Sequence, residues 1–583
     1  MSRLLELMSR AAASVGVKTF KRLYRDYVAV QKEDVIYADS FTGFTGQPIQ
    51  LDCGQWLADD RGITCFTSSG SEAIALNHPL LPVMRLVNID TGEEKLKLAY
   101  RRGTRGKWRE IIVSKADLAG KSTIVSLAKA GIAVNSENAG WLIRYLCDIE
   151  SLNYDALPEM KSVSRLGWIG EDRFSPYEEN LVYDGERSFG RLFDSVRQTG
   201  SFEEWKAHAL RARAHSLPAR IILAASLGSV LTAKTDALSF FVHLWGARSG
   251  IGKTVGLMFA ASVWASPAAG DYVRTFRGTE VSMELSAAFV NNLPLILDEF
   301  QMVRQKKDFE NVVYMLAEGI GKSRGAKSGG IRDAGSWRNC ILTSGESPIT
   351  NYMSGAGAFN RIVEIECTSP LFEDPIGTLN VIKKHYGHAG RLFVEKLQQP
   401  GAAERVREIY LEHYNAIVAT DATEKQAMAG AVILTADKLA EEWLFDGGEP
   451  LTVEQLLPYL HTRDEIDVGD RAYDYICETV AANAARFNPS LEMGEHWGKF
   501  SPEGDTVYII NKTFEQICEE GGFSSRSVLS RLSEKGLVSG RPNGKGKTTV
   551  TRNIRFGSTT VRCVALRMPA PSEDEQACFD EII

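Results

Sequence analysis

Paired cysteines are missing from this 583-residue chain. Its nine cysteines, at 53, 65, 147, 340, 367, 477, 518, 563 and 578, stand apart with no C-x-x-C among them. Neither a zinc site nor a disulfide framework is expected, and reduced thiols in a cytoplasmic setting are the simplest reading. Long apolar runs are missing too: no stretch reaches about 18 apolar residues, the length of a membrane span. The amino-terminal MSRLLELMSRAAASVGV is broken by charge where a signal segment would be apolar. A single sign of charge is lacking overall but not locally. The net charge is −7, yet ten Lys and Arg face two Glu between residues 520 and 570, and 571–583 hold five acids and no base. One small C-terminal module is therefore strongly basic, with an acidic tail behind it, and a nucleic-acid surface is expected there first. An apolar share of 44% and a charged share of 24% are ordinary for a globular chain, and the length implies several domains.

What is present is organised around FFVHLWGARSGIGKTVGLMFAASVWA, residues 240–265, an apolar run, a glycine-rich turn and an apolar helical pattern. This reads as strand, phosphate loop and helix. Gly246-Ala247-Arg248-Ser249-Gly250-Ile251-Gly252-Lys253-Thr254-Val255 fits the Walker A pattern, with Ala247 at its first glycine position. Gly250 and Gly252 would let backbone N–H groups close on phosphate oxygens at the positive end of the following helix. Lys253 would reach the β and γ phosphates of ATP, and Thr254 would hold Mg²⁺ through its hydroxyl.

The run Leu293-Pro294-Leu295-Ile296-Leu297-Asp298-Glu299-Phe300 is an apolar strand that ends in two carboxylates, 45 residues after the lysine. As a Walker B strand it would set Asp298 on the metal and leave Glu299 to orient and deprotonate a water. GIGKSRGAKSGGIRDAGSWRN, residues 319–339, is rich in glycine, and its Lys322, Arg324 and Lys327 are candidates for DNA phosphates. Cys340–Glu346 then forms another buried strand, suited to lie between the two Walker strands. It offers Thr343 or Ser344 as the hydroxyl that senses the γ-phosphate. Arg361 precedes the apolar strand Ile362–Ile365; it would either complete a neighbouring subunit's site or cap its own strand with a salt bridge. Arg101, Arg102, Arg105 and Lys107 read as a solvated hairpin tip or a DNA contact.

Together the Walker A loop, the DE-ending strand, GKSRGAK, W-x-N-x-x-x-x-S-G-E and NRIVEI resemble the domain of unknown function 927 family of phages and mobile elements. Its ATPase core is similar to superfamily III and minichromosome-maintenance helicases. The resemblance covers roughly residues 83–400. It implies an AAA+-type, ring-forming, DNA-dependent ATPase that replicates a mobile element. It assigns Lys253 and Thr254 to nucleotide and metal, Asp298 and Glu299 to metal and water, Ser344 to sensing and Arg361 to a trans finger. Two departures stand out: Ala247 replaces a glycine, and Thr-Ser replaces the sensor asparagine usual in related helicases.

After the core, 402–487 is strongly helical. Residues 506–568 then read strand, helix, turn, helix, strand, strand, the order of a winged helix. Ser524 would cap the second helix, and Arg541, Lys545, Lys547, Arg552 and Arg555 would sit on the wing. The expected architecture is α/β, an AAA+-like P-loop core with an N-terminal α+β domain, a helical lid region and a C-terminal winged helix. Its expected segments are 1–80 of unread role, 81–200 collar, 201–400 ATPase core, 401–487 lid, 488–570 winged helix and 571–583 acidic tail. The expected function is an ATP- and Mg²⁺-dependent helicase or translocase, acting on single-stranded or forked DNA as a homo-oligomeric, hexameric ring. Replication proteins of the same element are further expected partners, and no membrane is. A DNA loader or packaging motor is one alternative. A defence-system signalling ATPase whose winged helix docks protein is the other.

Overall fold

The structure is a computed structural model that describes residues 2–17, 20, 22–24, 40–68, 70–103, 106–299, 306–325, 331–332, 334–352, 359–488, 495–538, 541–542, 548–556 and 558–569. The chain divides into two compact units, one of residues 1–164 with 179–184, the other of 165–178 with 185–583.

In the first unit, the strands Leu181–Tyr183, Glu159–Val163, Leu80–Asn88, Glu94–Tyr100 and Arg109–Ser114 form one sheet in that order. A second, antiparallel sheet is built from Leu57–Asp59, Gly62–Phe66 and Glu72–Leu76. The helix Ala139–Leu152 buries Leu142, Tyr145, Leu146 and Ile149 at helical spacing. Trp56, Ile63 and Leu76 share one core with Leu98, Tyr145 and Leu157. The boundary expected at residue 80 therefore does not divide the protein, because strands on both sides of it bury their apolar faces together. Arg101 also departs from its expected solvated tip. Its guanidinium is buried, bonds the Thr45 carbonyl and the Asp60 carboxylate, and lies 5.4 Å from the Trp108 ring.

The second unit is built on a five-stranded sheet ordered Arg274–Thr275, Leu295–Asp298, Cys340–Gly345, Phe240–Trp245, Ile362–Glu366, every neighbour parallel. The strand Cys340–Gly345 thus takes the place expected for it. A parallel sheet needs crossovers and cover on both faces, which explains why these strands read as continuous apolar runs. Helix Leu217–Gly228 lies against Cys340–Gly345, helix Lys253–Ser262 and helix Glu424–Trp443. The run Leu217–Thr235 has the length and hydropathy of a membrane span, contrary to expectation, but 72% of it is buried inside the protein. Its apolarity is that of a core helix. Gly228 permits the approach to Glu424–Trp443, since a Cβ there would come within 2.9 Å of Val432. Beside this packing Arg213 and Arg220 share Asp437 and Glu441, four ionic groups in a largely buried cluster.

The C-terminal part forms an antiparallel sheet ordered Gly498–Phe500, Thr506–Ile510, Thr559–Arg567, Thr551–Phe556, with helices Asn511–Glu520 and Ser525–Glu534. Ala472, Ile476 and Val480, one stripe of helix Val468–Ala482, join Val507, Phe514, Leu532 and Leu566 in a single core. This helix was expected in the lid. It belongs to the C-terminal module, because its apolar stripe is buried in that module's core.

Candidate nucleotide site

The glycine-rich loop leaves the strand Phe240–Trp245 and enters helix Lys253–Ser262 through two left-handed residues, Gly250 at φ +81° and Gly252 at φ +94°. Side chains are strained in that region, which is why glycine stands at both positions. The loop rims a cavity of about 360 Å³ lined by Ser249 to Val255, Asp298, Glu299, Ser344, Gly345, Glu346 and Pro375. Of the expected cradle, Ala247 and Arg248 lie outside this lining. The Arg248 carbonyl instead accepts the Lys253 ammonium at 3.1 Å, and the Gly246 carbonyl accepts it too.

Three donors converge on one oxygen of Asp298: Thr254 Oγ1 at 3.4 Å, the Glu299 N–H at 3.0 Å and Ser344 Oγ. An oxygen so held fixes the direction of the carboxylate, and the carboxylate and the Thr254 hydroxyl are oxygen donors of the kind that Mg²⁺ takes. Glu299 stands at φ +60°, a costly backbone for a side chain other than glycine and one that concentrates at functional sites.

Thr343 does not reach the cavity. It is fully buried and its Oγ1 meets His243 Nδ1 at 2.8 Å, so of the two candidate sensing hydroxyls only Ser344 faces the loop. Arg361 is also elsewhere. It lines a separate pocket of about 580 Å³ with Glu280, Asn311, Tyr314, Glu318 and Lys322. Its carbonyl accepts the Phe241 N–H at 2.7 Å, its Nε is buried without a hydrogen-bond partner, and no ion pair to it is found among the described residues. Among the described residues the strand-capping alternative thus has no ion pair to rest on.

Lys322 pairs with Glu280 at 2.6 Å. Arg324 and Arg541 lie in the short hairpins Arg324–Gly325 with Ile331–Arg332 and Arg541–Pro542 with Thr548–Thr549. Lys327, Lys545 and Lys547 lie outside the described residues. Arg552 and Arg555 lie on the strand Thr551–Phe556, and the Arg555 carbonyl accepts Lys499 Nζ at 3.0 Å. Ser524 takes the N-cap position of helix Ser525–Glu534, but its hydroxyl makes no capping bond. Sequence reasoning missed His243, Glu346 and Glu364. The signal for His243 was a lone imidazole in the apolar run FFVHLW; burial, the largest cause, pushes its pKa down to about 4.

Comparison with known proteins defines the class first: a mixed α/β chain that ends in a helix-turn-helix module, residues 467–571 matching the Cch helix turn helix domain. Residues 64–336 match the domain of unknown function DUF927, so the chain carries the domain of the family its motifs resemble. No curated protein matches. A solved structure titled SCCmec type IV Cch, active helicase, is 19% identical, covers 90% of this chain and 98% of its own, and superposes with a TM-score of 0.61. The A form apo structure of the NrS-1 C terminal region is 11% identical, with 83% of this chain and 96% of that one covered and a TM-score of 0.27.

Proposed function

We propose that this protein is an ATP-driven DNA helicase of a mobile element, working as a homo-oligomeric ring in replication, with an AAA+-like P-loop core and a C-terminal winged helix. The observation that carries the reading is the convergence of Lys253, Thr254, Asp298, Glu299 and Ser344 on one cavity at the strand ends of a parallel sheet. The loop N–H groups and Lys253 bind the triphosphate, and Thr254 with Asp298 would hold Mg²⁺, which when bound supplies positive charge beside the phosphates. Glu299 takes the proton of the attacking water. Arg361, which is not among the residues lining its own chain's cavity, serves the cavity of the next subunit, where a guanidinium stabilises charge on the transferring phosphoryl group. The likeness to a structure titled an active helicase, and the helix-turn-helix match, favour unwinding over the loader, packaging and signalling alternatives.

The test is ATP turnover with and without forked DNA, alongside strand separation of that fork. Stimulated turnover with unwinding is expected. Turnover without strand separation would leave a translocase, and absence of turnover in folded protein would remove the ATPase reading altogether.

A further inference from the structure

Beneath the nucleotide cavity a row of polar side chains crosses three parallel strands where apolar ones would be expected. Thr343, His243 and Glu364 are register partners on the strands Cys340–Gly345, Phe240–Trp245 and Ile362–Glu366. Thr343 and His243 are wholly buried, and the Glu364 side chain is 8% exposed. Buried polar groups persist where hydrogen bonds satisfy them, and here the bonds have a definite direction.

The Ser347 carbonyl can only accept, so the His243 Nε2 at 3.1 Å from it carries a proton and donates. Burial keeps the ring neutral, which leaves Nδ1 an acceptor for the Thr343 hydroxyl at 2.8 Å. One imidazole therefore ties residue 343 to residue 347. Between those two points lie Ser344, Gly345 and Glu346, all of which line the cavity, and Ser344 in turn bonds Asp298. On the far side Glu364 accepts the Thr350 N–H at 3.1 Å and its hydroxyl at 2.7 Å, and faces His461 at 3.7 Å. The chain that leaves the turn is thus held as well.

We propose that His243 is a positioning residue, a clamp that closes the 343–347 turn and so fixes Ser344, and through it the Asp298 carboxylate, for phosphoryl transfer. This rests on the ATPase reading above. The clamp touches no phosphate, so its loss spares nucleotide binding and slows the chemical step, since a misplacement of about 1 Å can cost on the order of 10²-fold.

The experiment measures kcat, KM and the Kd of a non-hydrolysable ATP analogue in His243→Leu, His243→Gln and Thr343→Val, with Tm as the check on folding. His243→Leu keeps Kd within about 2-fold and loses roughly 10- to 100-fold in kcat. His243→Gln, whose amide N–H can still donate to the Ser347 carbonyl, recovers part of that loss. Thr343→Val removes one bond at nearly constant volume, shows a smaller kcat fall, and decides the matter should His243→Leu not fold. Wild-type kcat in His243→Leu or Thr343→Val overturns the clamp. So does a loss carried by Kd and Tm with no fall in kcat, the mark of a purely structural pair. If the wild-type chain itself turns over no ATP, the nucleotide-site reading falls first and the clamp falls with it.

Discussion

The nucleotide cavity and the C-terminal module both stand out in charge and spacing, and they differ in what becomes of those charges. At the cavity, side chains from four separate strand and loop ends point at one space of about 360 Å³. In the C-terminal module two of the cations that made the segment basic, Lys535 and Arg531, are already paired. Lys535 sits between Asp467 and Asp470 at 3.4 and 2.5 Å, and Arg531 lies 3.1 Å from Glu534. Asp467 caps, and Asp470 lies on, the helix Val468–Ala482, which the sequence pattern alone places in another domain. Formal charge counted along a chain is not the charge a surface presents.

The comparison breaks most decisively at the cavity. Lys253→Ala should abolish measurable nucleotide binding. Glu299→Gln should bind ATP normally and lose about 10²- to 10⁴-fold in turnover, the usual contribution of a positioned base; isothermal titration beside a phosphate-release assay separates the two. Next in size, Arg361→Ala should bind ATP and lose on the order of 10³-fold in hydrolysis. Mixing it with Glu299→Gln should restore some activity, because mixed rings contain interfaces with both groups intact. A mixture that stays inactive although mixed rings form would return Arg361 to a structural role. In the C-terminal module effects should be smaller. Removal of 467–583 should weaken duplex binding and flatten its salt dependence, by about 0.9 in log–log slope for each phosphate that is no longer neutralised. A cut at 506 should instead destabilise what remains, since it bares Ala472, Ile476 and Val480; a melting curve tells these deletions apart. Smallest of all, Lys535→Ala should shift duplex affinity by less than about 2-fold, because its charge is already committed. Arg526→Ala, at an exposed position opening helix Ser525–Glu534, should lower the salt slope by about 1. Equal effects from the two would mean that pairing within the module does not decide which cations meet DNA.

The lining of the candidate cavity was legible because its residues sit in short contiguous motifs at the ends of apolar runs. Thr343 and Ser344 could not be told apart for a simple reason. Neighbours on a strand face opposite ways, so the register that sends Ser344 to Asp298 sends Thr343 to His243, and register is set by partners far away in sequence. Domain edges failed for a related cause. The core that joins Trp56 to Leu157 and the one that joins Ala472 to Leu566 each draw on segments far apart in the chain, and a local pattern records that a face is apolar without recording what covers it.

The four charges at Arg213, Arg220, Asp437 and Glu441 carry a consequence for how this sequence can drift. Arg213 and Asp437 are 4% and 1% exposed in their side chains, so loss of either one leaves the cluster with one net charge uncompensated in the interior although each remaining group keeps a partner, at a cost of up to about 3–5 kcal/mol. That is a large part of the roughly 5–15 kcal/mol by which a typical domain is stable. A full exchange for apolar side chains carries little such penalty, but every one-step route toward it runs through an unstable intermediate. Lineages descended from this chain should therefore hold all four positions or replace them as a block, and a relative that carries only one or two of them is expected to have moved the helix Glu424–Trp443 as well.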